Sequence, residues 1–231
     1  MSDIGVIYMA RGLDSNWRAR VTRFIASYLR HPAGIDHQLY VILKELAEPA
    51  DWHWTKDQFA PLQPVIIDDP SSSVGNGAFL KACKYVDEPV VCLLASSAEI
   101  MHDNWLVKLY DALNLPNVGL VGCCGSSAFI PYWFPELTYP NLHIRTPTFM
   151  IWRLLFQEIA GPFDFSSKQS DCAFEHGPNS MTHQVLAAGK KALVVETERV
   201  LEPDAWGDTT YRGNLQNVLI HDRGARDYQD L

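Results

Sequence analysis

The stretch Val90–Leu94 is apolar at every position, Val-Val-Cys-Leu-Leu. A strand with one wet face alternates apolar and polar residues, so an unbroken run belongs to a strand covered on both sides, the habit of a central strand in a parallel sheet. Such a chain must supply helices for two faces. Ligands of open sheets of this kind gather beyond the carboxyl ends of the strands, so the residues just after Leu94 become the first place to look for a site.

The rest of the sequence supplies those elements. Residues 4–9 read as a first strand, and Asp14, Ser15 and Asn16 offer caps to a helix whose Trp17, Val21, Phe24, Ile25 and Tyr28 share one face. Strands follow at 39–43 and 64–67, then a turn-rich DDPSSSVGNG, a helix over 78–85, the central strand, and a helix capped by Asp103 that carries Trp105, Leu106, Leu109 and Leu113. A strand starts at Val118. The proline- and aromatic-rich FIPYWFPELTYPNLHIRTP reads as an extended loop, and loops of this length in compact domains are usually functional. It leads to a strand near Phe149 and a helix through Leu155, Phe156 and Ile159. GPFDFSSKQSDCAFEHGPN reads as another loop, Asn179 or Ser180 as the cap of a helix over Met181 and Val185, and residues after Lys190 as a strand. The expected architecture is a single α/β domain with a mostly parallel sheet over residues 1–231. Residues 1–125 form a nucleotide-binding half, 126–200 an acceptor and catalytic half, and 201–231 an irregular C-terminal extension.

Composition narrows the class of partner. With 19 Lys+Arg against 27 Asp+Glu the net charge is -8, so general attraction to nucleic-acid phosphate is absent and no nucleic-acid partner is expected. Nothing approaches a membrane span or a signal peptide, which points to a cytoplasmic protein. The five cysteines, Cys83, Cys92, Cys123, Cys124 and Cys172, have no CxxC spacing and read as reduced, packed thiols, the adjacent Cys123 and Cys124 included. No GxGxxG follows the first strand, no GxxxxGK[ST] occurs, and neither zinc spacing nor a GxSxG elbow is present. Strand and helix alternation by itself still leaves other nucleotide-using enzymes open, such as reductases or methyltransferases.

The order of several segments resembles the family 2-like glycosyltransferases of the GT-A class over most of the chain. SVGNGAFLKA is similar to the small-residue turn and helix after the third strand. VVCLLASSAEIMHDNWLVKL is similar to the strand, metal loop and Trp-Leu helix. HIRTPTFMIWRLLFQEIAGPFDF and FEHGPNSMTHQVLAAGKKALVV resemble the later strand, Arg-bearing helix, acidic motif and glycine of the family. Asn141, His143, Arg145 and Thr146, then Glu175, Ser180 and Thr182, then Trp206, Arg212 and Asn217 resemble a bacterial polysaccharide-type subgroup. The resemblance implies a GT-A fold, a nucleotide-sugar donor, a glycan or other hydroxyl acceptor, and a role in polysaccharide or glycan synthesis, with inversion at the anomeric carbon preferred. The alternative is a catalytically degenerate protein that binds a nucleotide sugar or glycan.

One departure bears on mechanism. The family's aspartate-bearing loop holds a divalent cation, Mg or Mn, whereas this loop reads Ala95, Ser96, Ser97, Ala98, Glu99. Either Glu99 supplies a single carboxylate, or no metal is used and cations meet the diphosphate; the second is preferred, with Arg145, Arg153 and Arg212 as candidates beside the ordinary surface role of an arginine. Glu175 is the first choice for the base that deprotonates the acceptor, and Asp171 is the reserve; helix capping is the plain alternative for Glu175. Glu45, Asp68 and Asp69, at strand ends, are placed against base or ribose, with Arg11 bordering the pocket, although acids also form ordinary turns there. Asn76 and Gly77, with Gly75, let backbone approach a ligand, and Ser96 and Ser97 line the same loop end. His143 is a binding candidate, but no zinc-like logic links His143, His176 and His221. Tyr132, Trp133, Phe134 and Trp206 suit stacking on a sugar or base as well as they suit a hydrophobic cover.

Overall fold

A computed structural model describes residues 2–69, 71, 73–208 and 217–222. The strands are β1 (Ile4–Arg11), β2 (Gln38–Lys44), β3 (Val65–Asp69), β4 (Val90–Leu94), β5 (Glu99–Ile100), β6 (Val118–Gly122), β7 (Gly125–Ser126), β8 (His143–Ile144), β9 (Thr148–Trp152), β10 (Lys191–Val195), β11 (Val200–Leu201) and β12 (Ile220–His221). The helices are α1 (Trp17–Arg30), α2 (Pro49–Phe59), α3 (Gly75–Ala82), α4 (Trp105–Leu113), α5 (Arg153–Ala160), α6 (Lys168–His176) and α7 (Met181–Ala187).

The main sheet has eight strands in the order β3-β2-β1-β4-β9-β6-β10-β11. β1 runs parallel to both β2 and β4, β2 to β3, and β6 to β10, while β9 runs antiparallel between β4 and β6. This is the mixed, mostly parallel α/β sheet expected from the sequence. Every residue of β4 is buried, as its unbroken apolar run requires. β1 shows how two cores are built from one strand: Ile4, Val6, Tyr8 and Ala10 face one layer, and Ile7 and Met9 the other. The first layer holds α1, α2 and α4 through Phe24, Phe59 and Trp105; the second holds α3, α5, α6 and α7 through Phe79, Phe156, Phe174 and Met181. Tyr8 stacks on Phe24 with ring centroids 3.8 Å apart, fixing α1 against the sheet centre.

β2 and β4 lie on opposite sides of β1, so the strand order reverses at β1, the place where open α/β sheets bind ligands in a crevice beyond the carboxyl ends of their strands. Gly12 lets the two loops above it touch, because a Cβ at that position would stand 2.3 Å from the Glu45 carbonyl oxygen.

Four local readings change. α2 was not visible in the sequence. The segment expected as a loop around Asp171 and Glu175 contains α6, started by Ser167, whose side chain accepts from the Ser170 N–H in a capping box. Within 201–231, residues 217–222 are not an irregular tail: Val218, Leu219 and Ile220 are buried, and β12 pairs antiparallel with β5. Asn16, one of the three residues offered as caps for α1, holds the cap position in left-handed backbone without a side-chain cap, and Asn104 does the same before α4 in place of the expected Asp103. All five cysteines are reduced and buried, and burial pushes the Cys172 thiol up to about 11.

Candidate active site

The crevice is lined from two sides. On the β1–β4 side, the last residue of β1, Arg11, donates from Nε to Glu45 Oε2 at 2.5 Å and lies 3.4 Å from Asp14. Asp14 also pairs with Arg20 at 2.9 Å and meets the hydroxyl of Ser96, while the Tyr8 hydroxyl donates to the Ser96 carbonyl at 3.0 Å. The loop after β4 is thereby tied to the start of α1. Glu45 sits at φ 52, a left-handed conformation that only local partners sustain in a residue of this size. Ser97 is buried beside Ser96.

At the ends of β2 and β3 a cleft of about 530 Å³ is lined by Glu45, Leu46, Trp52, His53, Asp68 and Asp69 among others. Asp68 is exposed there, whereas Asp69 is buried against Lys44, with Nζ to Oδ2 at 3.3 Å. Burial alone would raise the Asp69 pKa, but the hydroxyl and N–H of Ser71 and the Lys44 charge outweigh it and hold the carboxyl below its ordinary range. Glu45, Asp68 and Asp69 thus share one cleft, as the sequence grouped them. Trp52, His53 and Lys44 were missed: α2, which brings the first two, has a weakly patterned sequence, and a lysine ending an apolar strand carries no signal of its pairing.

On the other side stands α6. Asp171 accepts from the backbone N–H of Asn76 at 3.0 Å and from its Nδ2 at 2.8 Å, so this carboxylate of α6 caps the first turn of the neighbouring helix α3. A Cβ on Gly75 would lie 2.7 Å from both carboxylate oxygens, and its φ of +23 disfavours a side chain in any case. Gly77 packs closely on Phe165, which a Cβ would meet at 2.6 Å. Asp171 also pairs with Lys168 at 3.1 Å. One helical turn later comes Glu175, with a side chain 15% exposed. Its Oε2 accepts from the Thr146 hydroxyl at 3.0 Å, and its Oε1 lies 3.7 Å from Arg145 Nε. Burial pushes the Glu175 pKa up, but Arg145, then His143 and Lys168, push it down further, so the group is held ionised. His143 is buried, with Nδ1 on the Asn141 carbonyl at 2.8 Å and its ring 5.6 Å from that of His176. Asp222, buried at the end of β12, accepts from Arg145 Nη1 at 2.6 Å. Asp222 and Lys168 were not singled out in the sequence, since neither stands in a recognisable pattern.

Other candidates lie elsewhere. Arg153 follows β9 at the amino end of β4, where it donates to the Glu88 carbonyl at 2.8 Å; the antiparallel run of β9 carries it to the edge of the sheet away from the crevice. Trp206 is 1% exposed, packs over Gly125, and donates Nε1 to the Leu201 carbonyl at 3.0 Å, so its ring belongs to the core. His221 is buried in β12 and pairs in register with Glu99. Arg212 lies outside the described residues.

The loop over 95–99, which resembles the family's metal loop, brings no pair of carboxylates together among the described residues. Glu99 is on β5, with Oε2 4.0 Å from Arg23 Nε, and the nearest carboxylate to Ser96, that of Asp14, is already shared by two guanidinium groups. Among the described residues no group of three or more His, Cys, Asp or Glu side chains has metal-binding geometry. No described helix is long and apolar enough to cross a membrane.

No family model matches the sequence, and no curated protein matches it. Solved structures do resemble it. A mannosyltransferase from Pyrobaculum calidifontis, in complex with GDP-Man and Mn2+, superposes with a TM-score of 0.58 at 13% identity over 84% of this chain. The chain spans about half of that protein, 54% of its length. A nucleotidyl transferase from Methanothermobacter thermautotroptrophicus gives 0.54 at 11% identity, over 85% of this chain and 88% of the other. The fold is that of GT-A glycosyltransferases and nucleotidyltransferases. A cytidylyltransferase from Leptospira borgpetersenii serovar Hardjo-bovis, at TM-score 0.50 and 9% identity over 75% of this chain and 70% of its own, belongs to the same set of likenesses. At these identities the likeness concerns the backbone plan of this GT-A-like chain and leaves its chemistry to its own side chains.

Proposed function

We propose that the protein is a glycosyltransferase that moves a sugar from a nucleoside-diphosphate sugar to an acceptor hydroxyl, in the synthesis of a polysaccharide or other glycan. The observation that carries this reading is Glu175: a partly exposed carboxylate, held ionised beside Arg145, on the helix that Asp171 fastens to α3. An ionised carboxylate of this kind accepts the acceptor's proton as the hydroxyl oxygen attacks the anomeric carbon and the bond from that carbon to the diphosphate oxygen breaks. Attack from the side opposite the diphosphate inverts the anomeric centre. Asp171, with both its oxygens engaged by Asn76 and Lys168, is a positioning group.

In this reading the donor nucleotide lies at the carboxyl ends of β1, β2 and β3, with Asp68 accepting from sugar hydroxyls of the nucleoside. Charge on the departing diphosphate is met by Arg11 and Arg20, whose side chains are 29% and 13% exposed, together with Arg212. The loop over 95–99 offers no paired carboxylates, so no step is routed through a divalent cation.

The test is transfer from a panel of uridine, guanosine and thymidine diphosphate sugars, with and without chelator. Wild-type protein transfers sugar in both conditions, and Glu175→Gln lowers kcat by roughly a hundredfold or more while calorimetric binding of the nucleoside diphosphate persists. Full activity of Glu175→Gln overturns the assignment of the base. Binding of a nucleotide sugar without turnover in wild type indicates a degenerate binding protein. Pyrophosphate release from a nucleoside triphosphate and a sugar phosphate identifies nucleotidyl transfer, the activity named for two of the structural likenesses.

A further inference from the structure

The connection between β7 and β8, residues 127–142, has two different faces. Its inner face is pinned to the end of α6. Phe134, 6% exposed, meets the His176 ring edge-on at 5.4 Å, and Asn141 Nδ2 donates to the His176 carbonyl at 2.7 Å. The Asn141 N–H closes the base of the loop on the Ser127 carbonyl at 3.1 Å. His176 directly follows Glu175, so the loop is anchored one residue from the carboxylate of the crevice.

The outer face is left to solvent. Tyr132 and Tyr139 are each 76% exposed, and Tyr132 stands edge-on to Trp133 at 5.1 Å. Large rings left this open forgo burial of apolar surface, and here two of them occupy one anchored loop. Hydroxyls accompany the rings: Ser127 Oγ lies 3.5 Å from the Tyr139 hydroxyl, and Thr138 is exposed next to it. Glu136 is the one charged residue of 127–142, so the loop carries no cation to receive a phosphate or an anionic headgroup.

Aromatic faces rimmed by hydroxyls and lacking positive charge match a neutral pyranose chain. Such a chain presents C–H groups on its ring faces and hydroxyls around its edges. We propose that residues 127–142 form a platform for a neutral oligosaccharide acceptor, which stacks on Tyr132 and Tyr139 and reaches the crevice along the anchored side of the loop. Naming the acceptor in this way rests on the glycosyltransferase reading, although binding to the platform is measurable without any turnover. A membrane surface would also take exposed tyrosines, but an anionic leaflet favours basic segments, whereas this loop is acidic and the whole chain carries -8.

The experiment titrates the full chain with neutral hexasaccharides of glucose, mannose, galactose and xylose, with a uronic-acid hexasaccharide, and with phosphatidylcholine vesicles containing phosphatidylglycerol. Protein NMR and sedimentation give the readouts. At least one neutral hexasaccharide is expected to bind. Its affinity falls tenfold or more in Tyr132→Ala/Tyr139→Ala, both exposed positions, and is retained in Glu175→Gln; nucleoside diphosphate binding is equal in all three proteins. The platform is overturned if no neutral oligosaccharide binds, if the double variant binds as wild type does, or if the tyrosines are needed only for vesicles or for the uronic-acid chain. Glycan binding with no transfer from any donor leaves the platform standing and removes the transferase. Transfer with an acceptor KM untouched by the double variant does the reverse.

Discussion

Arg145 donates from Nη1 to Asp222 at 2.6 Å while its Nε stands 3.7 Å from Glu175, so one guanidinium serves two carboxylates that lie far apart in sequence. Asp222 is 1% exposed, and removing one member of a buried ion pair costs more than the pair contributes, because the remaining charge loses its partner. Asp222→Asn is expected to lower unfolding free energy by about 3 kcal/mol. Urea denaturation monitored by tryptophan fluorescence checks it. A change within error of zero would mean that Arg145 does not need Asp222.

Asp171 gives a second test, since it closes the amino end of α3 from another helix. In Asp171→Ala the Asn76 N–H and Nδ2 both lose their acceptor inside the protein, and a cap is lost with them. The expected cost is about 2 kcal/mol. Lys168→Ala, which removes a largely exposed partner of the same carboxylate, should stay within about 0.5 kcal/mol of wild type. Equal effects of the two changes would show that the cap contributes nothing.

Lys44 and Asp69 allow a double-mutant cycle. The lysine is fully buried and also donates to the Ser71 carbonyl at 2.7 Å. Lys44→Met should cost about 3 kcal/mol, because Asp69 then keeps its charge without the lysine that neutralises it. The Lys44→Met/Asp69→Asn protein should be more stable than the sum of the single effects implies, since it leaves no orphaned charge. Strict additivity in thermal melts would mean that the two groups do not interact.

Acid should weaken the fold in two stages. Burial, the largest influence on His143, His176 and His37, pushes all three below the ordinary imidazole value, against the pull of Glu175 on the first two. The unfolded chain then binds protons first, so stability is complete above the ordinary value of about 6.5 and declines as pH falls below it. Asp69 and Glu175, both held below their usual range, contribute stability above the unfolded carboxylate pKa that is lost as pH falls through their folded values. Calorimetric Tm should therefore be level from pH 8 to 7, drop between pH 6.5 and 5, and drop again in the carboxylate range. In His143→Gln/His176→Gln the first drop should shrink. A Tm that rises between pH 7 and 5.5 would contradict the burial of these rings in neutral form.

The elements that formed a legible pattern were those whose burial is written locally. β1, β2 and β4 announce themselves as apolar runs, and α4 by the spacing of Trp105, Leu106, Leu109 and Leu113. α2 buries only Thr55 and Phe59 of its residues, so its apolar stripe is too thin to read. α6 begins with a run of serines and lysine, and its capping box uses Ser170 where a glutamate would be the usual sign. Glu175 could be named because its surroundings resembled a known motif, but that it sits on a helix, and that Arg145 reaches it, depends on tertiary contacts. Asp222 had no local mark at all. A buried acid announces itself only through its partner, and that partner stands 77 positions earlier.

The return of β12 to β5 also fixes an order of events. Met101 N–H bonds the Leu219 carbonyl, and the Thr197 N–H bonds that of Asn217, so residues 217–222 bridge the loop after β4 and the turn after β10 before delivering Asp222 to Arg145. During synthesis the sheet strands from β1 to β10 emerge first, and folding proceeds from the amino-terminal side as they appear. Through that interval Arg145 faces Glu175 without Asp222 beside it. The crevice takes its final electrostatic form when the late segment docks, so a nascent chain stalled short of residue 222 would carry the carboxylate without the acid that shares its arginine.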